Sequence, residues 1–177
     1  LIIASALSLQ DPRDRPFDHQ AAADQAQRRF VDERSDFMSY LKLWDFFDEQ
    51  VKHKKSTRKL IAQCRELFLS YRRLREWREI HGQLQVLISE MGLKPNDIAA
   101  GYDEIHRALL AGLLGNIGFK TEKEGEYLGA RGIKFAIFPG STLKKGKTKW
   151  VVAAELIETT KLYARCVAQI DPNWLER

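Results

Sequence analysis

From residue 19 to residue 114 the apolar side chains recur at intervals of three and four, the period of helices with one buried stripe. After Asp18, a suitable N-cap, residues 19–33 are rich in Ala, Gln, Asp and Arg and predict an exposed helix. Ser35 is placed to cap the next helix, whose apolar face is Phe37, Tyr40, Leu41, Trp44 and Phe47. Ser56 heads a third, carrying Leu60, Ile61, Cys64, Leu67 and Phe68. The clearest stripe is the fourth: Leu74, Trp77, Ile80, Leu84, Leu87, Ile88 and Met91, closed by Gly92 with Pro95 shortly beyond. A fifth helix is expected from about Tyr102 to Leu114. Ahead of all of these, residues 11–18 hold two prolines among charges and read as an extended loop.

From Gly115 the period changes. Five short segments rich in β-branched and aromatic residues follow, at 117–119, 126–128, 134–138, 150–157 and 162–170, separated by turn residues. Five strands in about 55 residues fit a small barrel, and five is the strand count of the oligonucleotide-binding (OB) fold. The expected class is therefore α+β, with a helical domain over 1–114 followed by a five-stranded OB barrel over 115–177. No internal repeat interrupts this division.

With 44% apolar and 10% aromatic residues, the chain of 177 residues can bury a real core. Its net charge of +5 favours a polyanionic partner over a membrane surface, since Lys and Arg gain affinity by releasing phosphate counterions. No apolar run approaches the ~20 residues of a membrane span. Cys64 and Cys166 are far apart and read as buried, reduced thiols of a cytoplasmic protein. The first residues lack the basic region of a signal peptide, and without an initiator Met the chain is expected to begin inside a longer protein.

Two segments imitate catalytic motifs. Gly140 to Thr148 resembles a phosphate-binding loop but has five residues between its glycines instead of four. A strand-like Trp150-Val151-Val152 follows it, so no helix N-terminus would face a phosphate. Asp103-Glu104-Ile105-His106 lies in the first turns of an amphipathic helix, where acidic residues suit the dipole without any metal. The four histidines are scattered, and Glu155 and Glu158 are spaced for opposite faces of a strand. No active site or metal site is expected. Basic clusters carry more weight: Lys52 to Arg78 holds ten Lys or Arg against Glu66 and Glu76, a local +8, and Lys144, Lys145, Lys147 and Lys149 share a barrel loop. A basic groove on an OB barrel suits the phosphates of a single strand. Most aromatics stand at core spacing, so none is expected to act as a stacking platform.

Read together, several stretches resemble the C-terminal accessory region of DEAH-box ATP-dependent RNA helicases, the bacterial HrpA-type members most closely. Ser8-Leu9-Gln10-Asp11-Pro12, Arg15-Pro16 and Ala23-Asp24-Gln25 look like that family's S-x-Q-[ND]-x…R-P…A-D segment. Ser35-Asp36-Phe37 through Trp44 is similar to the helix after it, Tyr71-Arg72-Arg73-Leu74 to its arginine-bearing long helix, and Ala111 to Leu114 to the helix entering the barrel. Ile137-Phe138-Pro139-Gly140-Ser141, Trp150-Val151-Val152, Glu155-Leu156, Thr159-Thr160-Lys161, Tyr163 and Pro172-Asn173-Trp174-Leu175 follow the family's barrel pattern in order.

The resemblance implies a helical ratchet domain, entered part-way, and an OB barrel that close over two motor lobes, with RNA threading between. It assigns RNA contacts to Ser8, Gln10 and Arg15, to Arg72 of the long helix, and to Ser141, Lys144, Lys145 and Lys147 of the barrel. ATP and Mg would belong to the parent's motor lobes, leaving this chain with no cofactor and no catalysis. Implied partners are single-stranded RNA, the motor lobes of the same polypeptide and protein activators, with no membrane. Phe138 replaces the family's usual His and Gly140 a Ser, so contacts at that turn are expected from backbone N–H groups or Ser141.

Overall fold

Three serines start three helices in a computed structural model that describes residues 1–53, 56–143 and 147–176. The hydroxyls of Ser35, Ser56 and Ser70 accept the backbone N–H groups of Met38, Lys59 and Arg73 at 3.2, 3.4 and 3.3 Å. They open α3 (Asp36–Lys52), α4 (Thr57–Glu66) and α5 (Tyr71–Glu90). Two shorter helices precede them, α1 (Ile2–Leu7) and α2 (Gln20–Gln27), and α6 (Tyr102–Gly112) follows. The helix expected over 19–33 is thus shorter, continuing as a single 3-10 turn over Arg28–Phe30. α1 was not expected: its apolar run carries no helical period long enough to read.

The chain divides into two units. The first comprises residues 1–31 and 40–95. Its core is built on aromatic rings from α3 and α5: Trp77 meets Trp44 at 5.1 Å and Tyr40 at 5.9 Å between centroids, with Leu74 fully buried beside them. The Trp77 indole N–H donates to Ser5 Oγ at 2.9 Å and to the Ile2 carbonyl at 3.1 Å, which ties α1 to α5. The proline-rich loop forms one bridge, Arg13↔Leu69, and then turns at Phe17–His19 into a 3-10 helix, so Asp18 lies inside that turn and α2 follows His19 with no side-chain cap. Its Asp14 N–H donates to Phe68 O, and its Pro12 carbonyl accepts from Ser70 N–H, each at 2.8 Å.

The second unit comprises residues 32–39 and 96–177. Five strands, β1 (Ile117–Lys120), β2 (Tyr127–Gly129), β3 (Lys134–Ile137), β4 (Trp150–Glu158) and β5 (Leu162–Gln169), close a barrel in the order β1-β2-β3-β5-β4. Neighbours are antiparallel except β3 and β5, whose parallel pairing matches Ala136 to Tyr163. Tyr127, Phe135, Leu143, Val151, Ala153, Ala164 and Val167 fill the interior. Gly118 is required there, since a Cβ would lie 2.3 Å from the Phe135 ring. This is the α+β architecture and OB barrel read from the strand count.

The division expected at 114/115 falls inside the second unit, because polar side chains from 32–39 and 102–106 bond to the barrel or to each other. The Tyr102 hydroxyl lies 2.7 Å from Gln169 O. His106, fully buried, stacks on Tyr102 at 3.8 Å and bridges the Ser35 hydroxyl and the Tyr102 carbonyl, both at 2.6 Å. The carbonyl can only accept, so Nδ1 carries the proton and Nε2 accepts from Ser35.

Candidate nucleic-acid interface

Alternation along β5 sets Tyr163 and Arg165 on one side of the strand, with Lys161 just ahead of its first residue, while Ala164 points into the core. The parallel neighbour β3 ends beside them. Phe138 N–H donates to Ala164 O at 2.9 Å, extending the ladder by one residue and bringing the Phe138 ring edge-on to Tyr163, 5.9 Å between centroids. The Lys161 ammonium lies 5.3 Å from the Tyr163 ring centroid and the Arg165 guanidinium 5.9 Å from that of Phe138. Phe138 is 40% exposed. Arg165 also meets Glu155 at 3.5 Å, an exposed pair of little strength. Two rings beside two cations can take bases on the rings and phosphates on the charges.

The turn after Phe138 is held from within. Buried Asp36 accepts from Ser141 Oγ at 2.6 Å, from Thr142 N and Oγ1 at 2.7 Å each, and from Val167 N at 2.8 Å. The one proton of Ser141 is thereby directed to a carboxylate, and its lone pairs accept from Leu143 N–H at 3.2 Å. Ser141 fixes the turn. Lys147 is exposed just before β4, next to Thr148, whose carbonyl accepts from the Tyr127 hydroxyl at 2.8 Å. Lys144 and Lys145 lie outside the described residues.

Four expected contact residues belong to the first unit. Ser8 ends α1 and donates to Ser5 O at 2.8 Å; it and Gln10 are exposed. Arg15 is held in a two-pronged pair by Asp24, Nε to Oδ1 at 2.7 Å and Nη2 to Oδ2 at 2.8 Å. That hydrogen bonding holds the Asp24 carboxyl below the usual carboxylate range and raises Arg15 in turn. Arg72 is exposed in the first turn of α5, whereas Arg73 turns back to Asp11 O and the Asp14 carboxylate. The basic run beyond is partly neutralised: Arg78 and Lys52 share Asp48, and Arg75 faces Glu79. Its Lys54 and Lys55 lie outside the described residues.

Comparison with known proteins places these features. Residues 105–177 match the family model described as oligonucleotide/oligosaccharide-binding (OB)-fold, which begins within α6 and covers the whole barrel. The chain is 50% identical over 176 residues to the ATP-dependent RNA helicase HrpA homolog of Haemophilus influenzae. It is 49% identical over 178 residues to the ATP-dependent RNA helicase HrpA of Escherichia coli. Both matches take in 99% of the chain. The chain corresponds to an OB-fold-bearing region of HrpA-type helicases. It spans 13% and 14% of the length of these two relatives.

What sequence reasoning missed in this HrpA-like chain is the ring pair Phe138 and Tyr163. Phe138 was read as the loss of a polar contact, yet its exposed face offers a contact of another kind. The signal lay in the spacing of Lys161, Tyr163 and Arg165, which puts a ring between two cations at the start of a strand. Among the described residues no cluster of three or more His, Cys, Asp or Glu could hold a metal ion, and no helix is long and apolar enough to cross a membrane.

Proposed function

We propose that this chain is a non-catalytic accessory module of an ATP-dependent RNA helicase, holding single-stranded RNA while motor lobes elsewhere in the parent bind ATP and Mg and hydrolyse the nucleotide. The observation that carries this reading is the Phe138–Tyr163 ring pair flanked by Lys161 and Arg165 on an OB barrel. Ring faces accept any base and cations any phosphate, so binding is expected to depend little on sequence. Lys147, exposed just before β4, adds positive charge, and Lys144 and Lys145 are assigned to the RNA by the family resemblance. Ser8, Gln10, Arg15 and Arg72 are assigned to the RNA backbone by the family resemblance. For Arg15 this means that phosphate must displace Asp24 or use the outer edge of the guanidinium.

Fluorescence anisotropy of a labelled poly-uridine strand, at low and moderate salt with a duplex control, tests the proposal. Single-strand preference and affinity that falls with salt are expected. Phe138→Ala should weaken binding by roughly 5- to 100-fold, the range for losing one base-stacking ring. Salt-independent binding, or an affinity indifferent to Phe138, would remove the barrel from the RNA path.

A further inference from the structure

The Phe138 ring is supported from three directions. Its edge meets Tyr163, 5.9 Å between centroids, and its backbone N–H is fixed to Ala164 O at 2.9 Å. The third support is Gly140, where a Cβ would stand 3.1 and 3.3 Å from the ring carbons Cε1 and Cδ1. The ring therefore rests on the backbone of the turn that follows it. That turn is closed by the Ser141 N–H, which donates to Phe138 O at 2.9 Å, and it leads into Leu143, buried in the barrel core.

Buried Asp36 holds the same turn from below, and its two oxygens have different tasks. Oδ1 accepts the N–H and the hydroxyl of Thr142, each at 2.7 Å. Oδ2 accepts the Ser141 hydroxyl at 2.6 Å and the Val167 N–H at 2.8 Å. Val167 stands three residues beyond Ala164, whose carbonyl anchors Phe138. One carboxylate thus ties the turn against the ring to the strand beside it. An amide cannot take its place by rotating. Whichever oxygen becomes NH2 then faces a backbone N–H, that of Thr142 or that of Val167, and donor meets donor. Ser141 is committed to the same device, since its proton goes to Asp36 and its oxygen accepts from Leu143 N–H at 3.2 Å.

We propose that Asp36 and Ser141 are positioning residues for single-stranded RNA: neither touches the strand, and both act through the Phe138 ring by holding the turn against which it rests. The inference rests on reading the Phe138–Tyr163 pair as a base platform, and it replaces the direct contact that the family resemblance assigns to Ser141 by an indirect role. A ring set in place beforehand spares the strand the cost of ordering it, so a loosened turn weakens binding even with the ring present.

A double-mutant cycle on affinity separates this role from a general structural one, because residues that act through one another are non-additive. Anisotropy with labelled poly-uridine at low salt is measured for the unaltered chain, Asp36→Asn, Phe138→Ala and the double variant, each well below its melting temperature. Asp36→Asn is expected to weaken binding by roughly 3- to 30-fold while Phe138 is present, and by less than about twofold once it is Ala. Ser141→Ala, which removes one hydroxyl and leaves the other bonds to Asp36 in place, should follow the same pattern with a smaller loss. It carries the test if Asp36→Asn does not fold. Equal losses in the two backgrounds overturn the proposal, and so does full affinity in both single variants. If Phe138→Ala itself leaves binding unchanged, the ring-pair reading is refuted and the proposal falls with it; if Phe138→Ala weakens binding and Asp36→Asn and Ser141→Ala do not, the proposal alone falls.

Discussion

Asp36 gathers four donors onto one carboxylate in the second unit, two of them backbone N–H groups. One of these is available because β5 is distorted: Cys166 takes φ +52°, and the pairing of β4 with β5 skips from Ala153↔Val167 to Glu155↔Arg165. The Val167 N–H then turns to Asp36. Removing the carboxylate strands every donor at once, and an unpaired buried donor costs more than its bond contributed. Asp36→Ala is therefore expected to destabilise the second unit by on the order of 3 kcal/mol in chemical denaturation. Asp36→Asn, which keeps one acceptor oxygen, should lose less; equal losses would mean that bulk, not acceptance, matters at this position. His106 gives a second expectation. Burial is the main influence and pushes its imidazole below the ordinary value of 6.5. Below that value the unfolded chain takes up a proton that the folded one refuses, so stability is full above about pH 6.5 and falls as pH drops toward the folded value. Denaturation between pH 5 and 8 should show this decline. His106→Gln should remove part of it, the remainder belonging to His81, which is also lowered chiefly by burial.

Among the elements, β1 holds a position that tolerates no side chain without a shift. Gly118 faces Phe135 so closely that an added Cβ would meet the ring Cζ at 2.3 Å, and the ring is confined by a filled barrel. Gly118→Ala is expected to cost about 1–3 kcal/mol, the range for overpacking, read as a lower midpoint in denaturant with an unchanged slope. This strand was legible in the sequence, as were the other four and the caps at Ser35 and Ser56, because alternation and turn chemistry are local signals. The need for glycine at 118 was not, since it depends on a ring seventeen positions later in the chain. Helix α1 escaped for a similar reason: six residues carry little period, and its anchor, Ser5 to Trp77, is tertiary. α5 shows the converse. Its period is legible as an apolar face, but a period cannot say that Leu74 and Trp77 are buried while Leu87 and Met91 stay exposed.

At the scale of the molecule, a net charge of +5 pointed toward a polyanion, but the count could not show where that charge is spent. Asp24 engages Arg15, Asp48 engages Arg78 and Lys52, and Asp14 engages Arg73. The barrel cations beside Phe138 and Tyr163, Lys161 and Arg165, were the less conspicuous ones in the sequence, because they stand four apart at the start of a strand instead of forming a run. Ser141 was read as a ligand from its place in a motif, and only the fold reveals Asp36 beneath it. Closure of the barrel has a last consequence. With β1 paired to both β2 and β4, and β3 to both β2 and β5, every strand among the described residues has a neighbour on each side over part of its length, while β4 beyond Val152 pairs only with β5. Closure thereby shortens the edges open to the edge-to-edge association that burdens open sheets, and favours recognition of a ligand through outward side chains and loops over extension of the sheet.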